Sequence, residues 1–457
     1  MQSAQNPSTR EVIGYGLSSA PSMFSFLLIL VMYMKYATVE LGASPAAVGA
    51  VFLLAKVWNA IADPLIGTLS DRTRHRLGRR RPWLLASGPL LAVFGFMAWV
   101  PPAGLSDGAL IVWIAISLIG FYTSYTMFDV PHMALGAEMS LQATGRNRIF
   151  AVRQAIRIVA MLAAGILGSY VVGEGLEATH TMSIVVAVLT LVLVFVGVSW
   201  LPPERVEFKG RAGKNPYRAL RDVITNPHAR LLLMVIFIDA IGTGGIGVLT
   251  PFVIDYVVGR KDMIPVLLGL NMITTLASVP VWLWLARYFE KRRLMLWAML
   301  GSAAGFGSIL FIGDGDWWII AVSAVVSGAA LGCSNTLGYT LKAEIIDCDE
   351  YATGERKEGA YFAGWSFVNK LAAGLMLGLV GQALAWSGFD GNSAEQSQRV
   401  ESTMLILMGG FPLVCYLVGA IAFTRFSLTE VEHARIRAEL DARAAGGAVD
   451  HTGTIPA

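Results

Sequence analysis

Charged residues are scarce in this sequence. Only 15% of its 457 residues are charged, whereas 55% are hydrophobic, and the mean hydropathy is +0.59. A soluble domain of ordinary composition carries more charge and fewer apolar residues, so this scarcity excludes that class. The length suffices for about a dozen membrane spans of roughly 20 apolar residues each. The composition therefore predicts a polytopic membrane protein.

Cysteines and catalytic motifs are also scarce. The three cysteines, Cys333, Cys348 and Cys415, have no zinc-site or redox-pair spacing, so we expect no disulfide framework and no cofactor. No nucleophile–base pair, phosphate-binding loop or nucleic-acid-binding stripe is visible, which argues against an enzyme and against a nucleic-acid partner. The N-terminal stretch MQSAQNPSTREVIG lacks the layout of a cleaved signal peptide, so the first helix is expected to direct insertion.

Long apolar runs are what the sequence does contain. They predict twelve membrane helices, and the 48 glycines, as in GTGGIG (242–247) and GSAAGFG (301–307), predict close helix packing. The predicted spans are 12–38, 46–70, 82–101, 109–135, 150–173, 180–201, 230–258, 264–287, 293–313, 317–341, 360–386 and 402–425.

Basic residues fall on alternate links between the predicted spans. The links after helices 2, 4, 6, 8 and 10 carry the basic clusters, whereas the opposite links are acidic or neutral apart from Arg260, Lys261 and Arg399. Basic loops stay in the cytoplasm, so both termini are predicted to be cytoplasmic. We expect a multi-pass plasma-membrane protein, located in the inner membrane if the source is bacterial, with the lipid bilayer as its surroundings.

The basic link at 202–229 divides the spans into two sets of six. The first half, 1–201, has GTLSDRTRHRLGRRRP after its second helix, and the second half, 230–425, has the weaker LARYFEKRRL (285–294) at the corresponding place. We therefore expect an all-α protein of two six-helix bundles with pseudo-two-fold symmetry and a solute site between them, working as a monomer. A channel is the competing class, but no selectivity-filter motif appears.

The region 426–457 follows the last span. Ser427 lies three residues before Glu430, which is the spacing of a capping box, and glycines end the segment. The pattern predicts a short cytoplasmic helix and then a disordered tail.

Several motifs in order carry a family resemblance. They are WNAIADPLIG (58–67), SDRTRHRLGRRRP (70–82), FDVPHMALGAE (128–138), IIDCDEY (345–351), KEGAYF (357–362) and FVNK (367–370). The chain resembles the glycoside–pentoside–hexuronide:cation symporters of the major facilitator superfamily, which include melibiose permease and the animal sodium-dependent lysophosphatidylcholine transporters. The resemblance covers nearly the whole chain and implies the major facilitator fold and cation-coupled uptake by alternating access. A transport-inactive membrane sensor is a remote alternative.

Helix 2 carries charge inside an apolar run. Lys56, Asn59, Ala60 and Asp63 lie at i, i+3, i+4 and i+7 and so share one stripe of the helix. A central aspartate costs about 2.5–3.5 kcal/mol even on permissive insertion scales, so this stripe must face water or a charged partner. Pro64 leaves a backbone carbonyl without its donor, which adds an oxygen ligand for a hard cation.

The resemblance implies a cation site with two carboxylates on helix 2 and one on helix 4. Here Asp63 and Asp129 match two of these positions, but Asn59 stands at the third. Loss of one negative charge leaves two coupling ions open: Na⁺ bound by Asp63 and Asp129, or H⁺ shared among Asp63, Asp129 and His132. The alternative is a fixed ion pair, for example between Asp63 and Lys56 or Arg153.

The resemblance also implies where the solute binds. Arg153 matches a position near the family's substrate, Lys370 on helix 11 matches a lysine between cation and substrate, and Met23 stands where sugar users carry an aspartate. An ion pair between Lys370 and Asp239 is the alternative for that lysine. A sugar or glycoside is the first expectation and a lysophospholipid is the second. The remaining candidates for substrate contact are Lys56, Trp58, Tyr122, Tyr125, Asp239, Trp365 and Asn369.

The link after helix 2 resembles the gating loop of the facilitator superfamily. We therefore expect Gly67, Asp71 and Arg72 to take part in gating, and the other arginines there to contact anionic lipid. The acidic set before helix 11 is expected either to bind this arginine cluster or to form a solvated cytoplasmic face. Its members are Glu344, Asp347, Asp349 and Glu350.

Overall fold

The computed structural model describes residues 7–140, 142–171, 175–202, 227–353, 358–426, 428 and 430–449. Within these ranges the chain is helical and contains no strand. Twelve of its helices are long and apolar enough to cross a membrane, as the sequence predicts. They are α1 (Thr9–Glu40), α2 (Pro45–Arg72), α3 (Arg81–Trp99), α4 (Asp107–Glu138), α5 (Gly145–Gly168), α6 (Leu176–Ser199), α7 (Ala229–Tyr256), α8 (Lys261–Leu285), α9 (Lys291–Phe311), α10 (Trp317–Tyr351), α11 (Tyr361–Ser387) and α12 (Gln398–Phe423).

Two helical segments differ from the expectation or extend it. The tenth span runs to Tyr351, whereas the apolar pattern ends it near residue 341, because a charged helical extension follows the membrane part. A further helix, α13 (Glu430–Val449), follows α12 as predicted. The proposed cap Ser427, the interdomain link at 203–226 and the tail beyond Val449 lie outside the described residues.

The helices pack as two related sets. In the first half α1 packs on α5 and α6, and α2 and α3 pack on α4; in the second half α8 and α9 pack on α10, and α7 packs on α11 and α12. The halves meet through α2 with α11, α5 with α8, and α1 with α7. Each helix pair of the first half has a counterpart in the second half whose helix numbers are higher by six; α1 with α5, for example, corresponds to α7 with α11. A pseudo-two-fold axis between the halves requires this correspondence. The predicted two-bundle fold is confirmed.

Glycines set the distance between α2 and α11. A Cβ built on Gly49 would lie 2.9 Å from the Cα of Gly381, and one built on Gly374 would lie 2.8 Å from the Cβ of Lys56. Side chains at these positions would push the two helices apart, so the close contact depends on glycine. This approach brings polar residues of the two halves within reach of each other.

The side of the molecule away from the chain termini, called the far side here, is closed by contacts between the halves. Lys35 at the end of α1 forms an ion pair with Asp255 at the end of α7, and Lys261 approaches the other carboxylate oxygen at 3.2 Å. The link between α11 and α12 adds packing, because a Cβ on Gly391 would lie 2.5 Å from the carbonyl oxygen of Thr38. These contacts hold the two halves together at the far side in this conformation.

Candidate coupling and solute-binding site

An ion pair joins the two halves inside the helix bundle. Lys370 on α11 donates to the Asp63 carboxylate on α2, and each side chain is about a quarter exposed. The glycine at 374, one turn along α11, lets the helices approach closely enough for this contact. The predicted alternatives of Asp63 with Lys56 or Arg153, and of Lys370 with Asp239, are wrong, because each of these residues has a nearer partner.

A hydroxyl bridge connects Asp63 to Asn59. The Thr126 hydroxyl on α4 donates to Asp63 Oδ1 at 3.1 Å and accepts from Asn59 Nδ2 at 2.7 Å. Asn59 is buried, and its amide also points at the carbonyl oxygen of Tyr122. Sequence reasoning missed Thr126, although it lies one turn before Asp129 on the inner face of α4. Carboxylate, hydroxyl and amide oxygens together are the ligands that hard cations prefer.

Asp129 belongs to a neighbouring cluster instead of contacting Asp63. Its Oδ1 accepts from Arg153 at 2.7 Å and from Arg157 at 2.9 Å, both on α5. Arg157 also donates to the sulfur of Met23 at 2.9 Å and lies 3.4 Å from the Tyr125 hydroxyl. Two guanidinium groups neutralise this carboxylate, so a cation could bind it directly only after the arginines moved away.

No cluster of three or more His, Cys, Asp or Glu side chains capable of holding a metal occurs in the part of the chain that the structure describes. In this conformation Asp129 pairs with Arg153 and Arg157, and Asp63 pairs with Lys370, so joint cation binding by the two carboxylates stays a prediction. Oxygen atoms of Asp63 and Thr126 are close together here, and with water they are ligands of the kind that a hard cation prefers.

His132 is a packing residue in this structure. Its ring is fully buried, stacks on Tyr15 with centroids 3.9 Å apart, and stacks on Phe128 at 4.8 Å. Its Nε2 lies 2.9 Å from the Tyr15 carbonyl oxygen and 3.1 Å from the Ser18 hydroxyl. These contacts point the imidazole toward α1, so the expected sharing of a proton with Asp63 finds no geometric support.

Lys56 lies between two aromatic rings. Its ammonium is 4.7 Å from the centroid of Phe26 and 4.4 Å from that of Tyr122, a pair of cation–π contacts. Tyr125 stacks on Phe26 at 5.0 Å and completes the aromatic wall. Among the described residues no carboxylate lies within ion-pair distance of this buried lysine.

The inner polar residues of α2, α4, α5 and α11 carry four cations and two carboxylates. Among the described residues at this site, basic side chains outnumber carboxylates, and the surplus favours an anionic group on a bound solute. The six residues are Lys56, Asp63, Asp129, Arg153, Arg157 and Lys370.

Asp239 lies in the second half, in a separate cavity of about 520 Å³ that we call the C-terminal cavity. Its carboxylate faces the Tyr416 hydroxyl and the Lys342 ammonium, and Asn369 lines the same space. Lys342, which the sequence analysis missed, lies over the ring of Trp365 at 5.5 Å. Asp239 and Asn369 thus line one cavity, Trp365 lies beside Lys342, and contact of these residues with a solute stays a prediction.

Trp58 lies away from this site. It belongs to a stripe of exposed apolar residues on α2 that faces outward, and its indole nitrogen donates to Thr123 at 2.8 Å. Such a stripe on a membrane helix faces lipid, so the expected stacking of Trp58 on a solute is not supported. The stripe consists of Leu54, Trp58, Ile61, Leu65 and Leu69.

The predicted gating residues lie at the termini-side end of α2. Asp71 accepts from Arg80 at 3.0 Å, and Arg80 also lies 3.0 Å from Glu138 at the end of α4. A Cβ on Gly67 would meet Val130 of α4 at 3.5 Å, whereas Arg72 is exposed. These contacts join α2 to α4 within the first half. Glu138 was missed by the sequence analysis.

The acidic set before α11 is largely buried in the helical extension of α10. Glu344, Asp347 and Asp349 are 5%, 7% and 6% exposed, so the expectation of a solvated face is wrong. Asp347 lies 3.1 Å from His433 and 3.6 Å from Arg437, both on α13. Asp347 thus has an arginine of the C-terminal helix beside it, and binding of the acidic set to the cluster after α2 stays a prediction.

Known proteins that resemble this chain are membrane transporters. The profile of the family described as "MFS/sugar transport protein" matches residues 14–430. The glucuronide carrier protein homolog of Escherichia coli K12 is 25% identical over 96% of this chain and 97% of its own length. The sodium-dependent lysophosphatidylcholine symporter 1 of Mus musculus is 21% identical over 94% of this chain and 87% of its own. The crystal structure of the nucleoside transporter NupG superposes with a TM-score of 0.68 at 15% identity, covering 92% of this chain and all of that one.

Proposed function

This chain belongs to the MFS/sugar transport protein family, and we propose that it is a cation-coupled symporter that imports a sugar or glycoside-type solute by alternating access. The observation that carries the proposal is the ion pair between Asp63 and Lys370, which joins the two halves beside the Thr126 hydroxyl and the Asn59 amide. Proteins in this family that resemble the chain include symporters, and the site has the oxygen chemistry that a coupling ion needs.

Competition for Asp63 supplies the coupling. A Na⁺ or H⁺ at Asp63 neutralises the carboxylate and weakens its attraction to Lys370. That attraction acts between the halves. Ion binding therefore changes the free-energy difference between conformations in which α2 and α11 stay in contact and conformations in which they separate. The released lysine then adds its charge to the solute site. Ion and solute thus favour each other's binding.

The solute class follows from charge and from relatives. The excess positive charge around Lys56 and Arg157 favours a solute with an acidic group, and the aromatic wall of Phe26, Tyr122 and Tyr125 suits the face of a sugar or aglycone ring. The similarity to a glucuronide carrier protein homolog over almost the full length supports a glycoside with a carboxylate.

A lysophospholipid is the second candidate. A groove of about 810 Å³ lies between α1, α5 and α6, with an apolar wall that includes Phe24, Leu167 and Leu189 and with Glu177 and Thr181 also lining it. An apolar groove with polar residues has the character of an acyl-chain site. The similarity to a lysophosphatidylcholine symporter supports this reading.

Uptake by purified protein in proteoliposomes tests the function. We expect phenyl β-D-glucuronide to accumulate under an inward Na⁺ gradient at fixed pH or under an inward pH gradient without Na⁺, and the effective gradient identifies the ion. Lysophosphatidylcholine, offered in parallel, tests the second candidate. Thr123→Ala, at the lipid-facing partner of Trp58, serves as a control that keeps uptake. Absence of accumulation of both solutes under both gradients contradicts the symport proposal.

A further inference from the structure

The turn between α8 and α9 carries four exposed aromatic side chains at the termini-side end of both helices. Trp284 packs edge-to-face on Tyr288 with ring centroids 5.4 Å apart, and Phe289 packs in the same way on Trp297 at 4.9 Å. Trp284 is 54% exposed and Tyr288 is 68% exposed. Because Tyr288 and Phe289 are consecutive, the two pairs meet at the turn. Exposed aromatic rings at the end of a membrane span are typical of the headgroup region of a bilayer.

Basic residues lie among and after these rings. Residues 285–294, LARYFEKRRL, contain four basic side chains and one carboxylate, Glu290. A comparison with the corresponding link between α2 and α3 indicates which of the four are available to a ligand. The basic residues are Arg287, Lys291, Arg292 and Arg293.

Lys291 forms the same kind of contact as Arg80 in the first half. Arg80, just before α3, pairs with Glu138 at the end of α4. Lys291, at the start of α9, pairs with Glu344 in the extension of α10. The helix numbers differ by six, so the pseudo-two-fold symmetry of the fold relates the two contacts.

The next residue in each half gives the same alignment. Arg81 donates to the carbonyl oxygen of Leu201, just after α6, and Arg292 donates to that of Thr424, just after α12. Two successive matches therefore establish how the α8–α9 turn aligns with the α2–α3 link. Both basic residues of the second half that take part in these matches already bind protein groups.

Arg293 departs from this symmetry. In the aligned first half its place is taken by Pro82, which carries no charge. Arg293 is exposed, as is Arg287 in the turn, and neither forms an ion pair within the part of the chain that the structure describes. These two guanidinium groups are therefore available to an anion.

Arg293 also lies beside the aromatic rings. It precedes Trp297 by four positions on α9, so the two side chains are neighbours on one face of the helix, and Phe289 packs on that tryptophan. A guanidinium group binds a phosphate through two parallel hydrogen bonds, and aromatic rings contact apolar groups next to it. A phospholipid offers both kinds of contact in one molecule.

We propose that the α8–α9 turn binds an anionic glycerophospholipid from the bilayer leaflet on the termini side. Arg287 and Arg293 bind its phosphate, and the four aromatic rings contact its glycerol backbone and upper acyl chains. A zwitterionic headgroup brings an ammonium group that opposes the attraction to arginine, whereas an anionic headgroup brings none. The site is separate from Asp63 and Lys370, so it can be tested without transport.

Native mass spectrometry of the delipidated full chain in detergent tests the proposal. Dioleoylphosphatidylglycerol is compared with dioleoylphosphatidylcholine, which has the same acyl chains and no net charge. We expect a Kd for the tightest-bound phosphatidylglycerol at least about fivefold below that for phosphatidylcholine, and a rise of about fivefold in Arg293→Gln, as for one arginine near an anionic lipid. Equal affinity for the two lipids overturns the proposal.

Matched substitutions on the far side are the controls. Arg399→Gln removes an exposed arginine there, and Trp318→Leu removes an exposed aromatic ring. Neither should change the affinity for phosphatidylglycerol, whereas Trp297→Leu should lower it. An effect of Arg399→Gln as large as that of Arg293→Gln overturns the proposal.

Two other occupants have outcomes of their own. Glycerol phosphate lacks acyl chains and should not displace phosphatidylglycerol at equal concentration; displacement would assign the arginines to a soluble phosphate and overturn the lipid site. The same spectra report the mass of the assembly. A dimer that Arg293→Gln and Trp297→Leu dissociate would assign the turn to a second copy of the chain and would likewise overturn the proposal.

Photo-crosslinking locates the lipid on the wild-type chain and so does not depend on the folding of a variant. Phosphatidylglycerol with a photoreactive group near its glycerol backbone should label residues 284–297. Unlabelled phosphatidylglycerol should suppress this labelling more strongly than phosphatidylcholine does. Equal suppression by both lipids, or labelling confined to other segments, overturns the proposal.

Discussion

Lys370 on α11 forms an ion pair with Asp63 on α2, so one lysine of the second half neutralises one aspartate of the first. The hydroxyl of Thr126 holds the other carboxylate oxygen at 3.1 Å. An ion at Asp63 must therefore compete with a contact between the halves, and this arrangement links ion occupancy to conformation.

Asp63→Asn should abolish gradient-driven accumulation while the protein still inserts and folds. The amide keeps the shape and the hydrogen bond from Thr126 but loses the charge that binds a cation. The exchange variant Asp63→Lys with Lys370→Asp distinguishes coupling from structure. It should recover thermal stability in detergent, because opposite charges still meet, without recovering accumulation. Accumulation at the wild-type rate in either variant would contradict the role of Asp63.

Asn59→Asp should tighten the dependence on sodium. A second carboxylate beside Thr126, in place of the amide that donates to its hydroxyl, adds negative charge near the ion and should lower the half-saturating Na⁺ concentration about tenfold. Uptake at fixed pH over a range of Na⁺ concentrations measures the shift. Asn59→Ser, which adds no charge, is the control. If parent uptake depends on Na⁺ and the half-saturation is unchanged in Asn59→Asp, then Asn59 does not line the ion site.

Lys35→Gln should open the far side. The variant breaks the largely buried pair with Asp255, at a cost of up to about 3 kcal/mol, which is roughly a hundredfold in the ratio of closed to open forms. Spin labels at Ser106→Cys and Ala394→Cys, both exposed on the far side, should show longer distances. Lys261→Gln removes only an exposed contact and should leave the distances nearly as they are.

Gly49→Val should prevent the close approach of α2 and α11. Its Cβ would stand 2.9 Å from the Cα of Gly381, and backbone atoms cannot move aside easily. We expect a loss of about 1–3 kcal/mol, measured as a lower melting temperature in detergent, together with reduced uptake. Gly95→Val on α3 is the matched control, since a Cβ there meets no atom within 4 Å. Equal effects of the two substitutions would argue against glycine-dependent packing between the halves.

The architecture could be predicted because it depends on local properties of the chain. The length of apolar runs determines which segments cross the membrane, since unpaired backbone groups cannot remain in hydrocarbon. The twelve spans, the division into halves and the α13 helix all follow from such runs and from the charges between them. The sequence analysis missed the extension of α10 because a run of carboxylates is typical of an exposed loop. In the structure these residues are helical and buried by contacts with α13 and α9.

The candidate site was predictable only in part. Helical spacing places Asn59 and Asp63 on one stripe of α2. Because a charge in lipid is costly, the charged residues within the membrane spans are expected to face water or an oppositely charged group. These residues are Asp63, Asp129, Asp239 and Lys370. Within one helix such statements hold because side chains three and four positions apart are neighbours.

Only the tertiary structure decided which charges meet. Lys370 could have paired with Asp239 or with Asp63, and the glycine-dependent approach of α11 to α2 selects Asp63. Likewise, Trp58 shares a helix with Asp63 but points to lipid. A sequence fixes the order of residues around each helix, but the rotation of one helix against another depends on packing contributed by residues far apart in the chain. Which residues of different helices become partners is therefore determined only when all twelve helices have packed together.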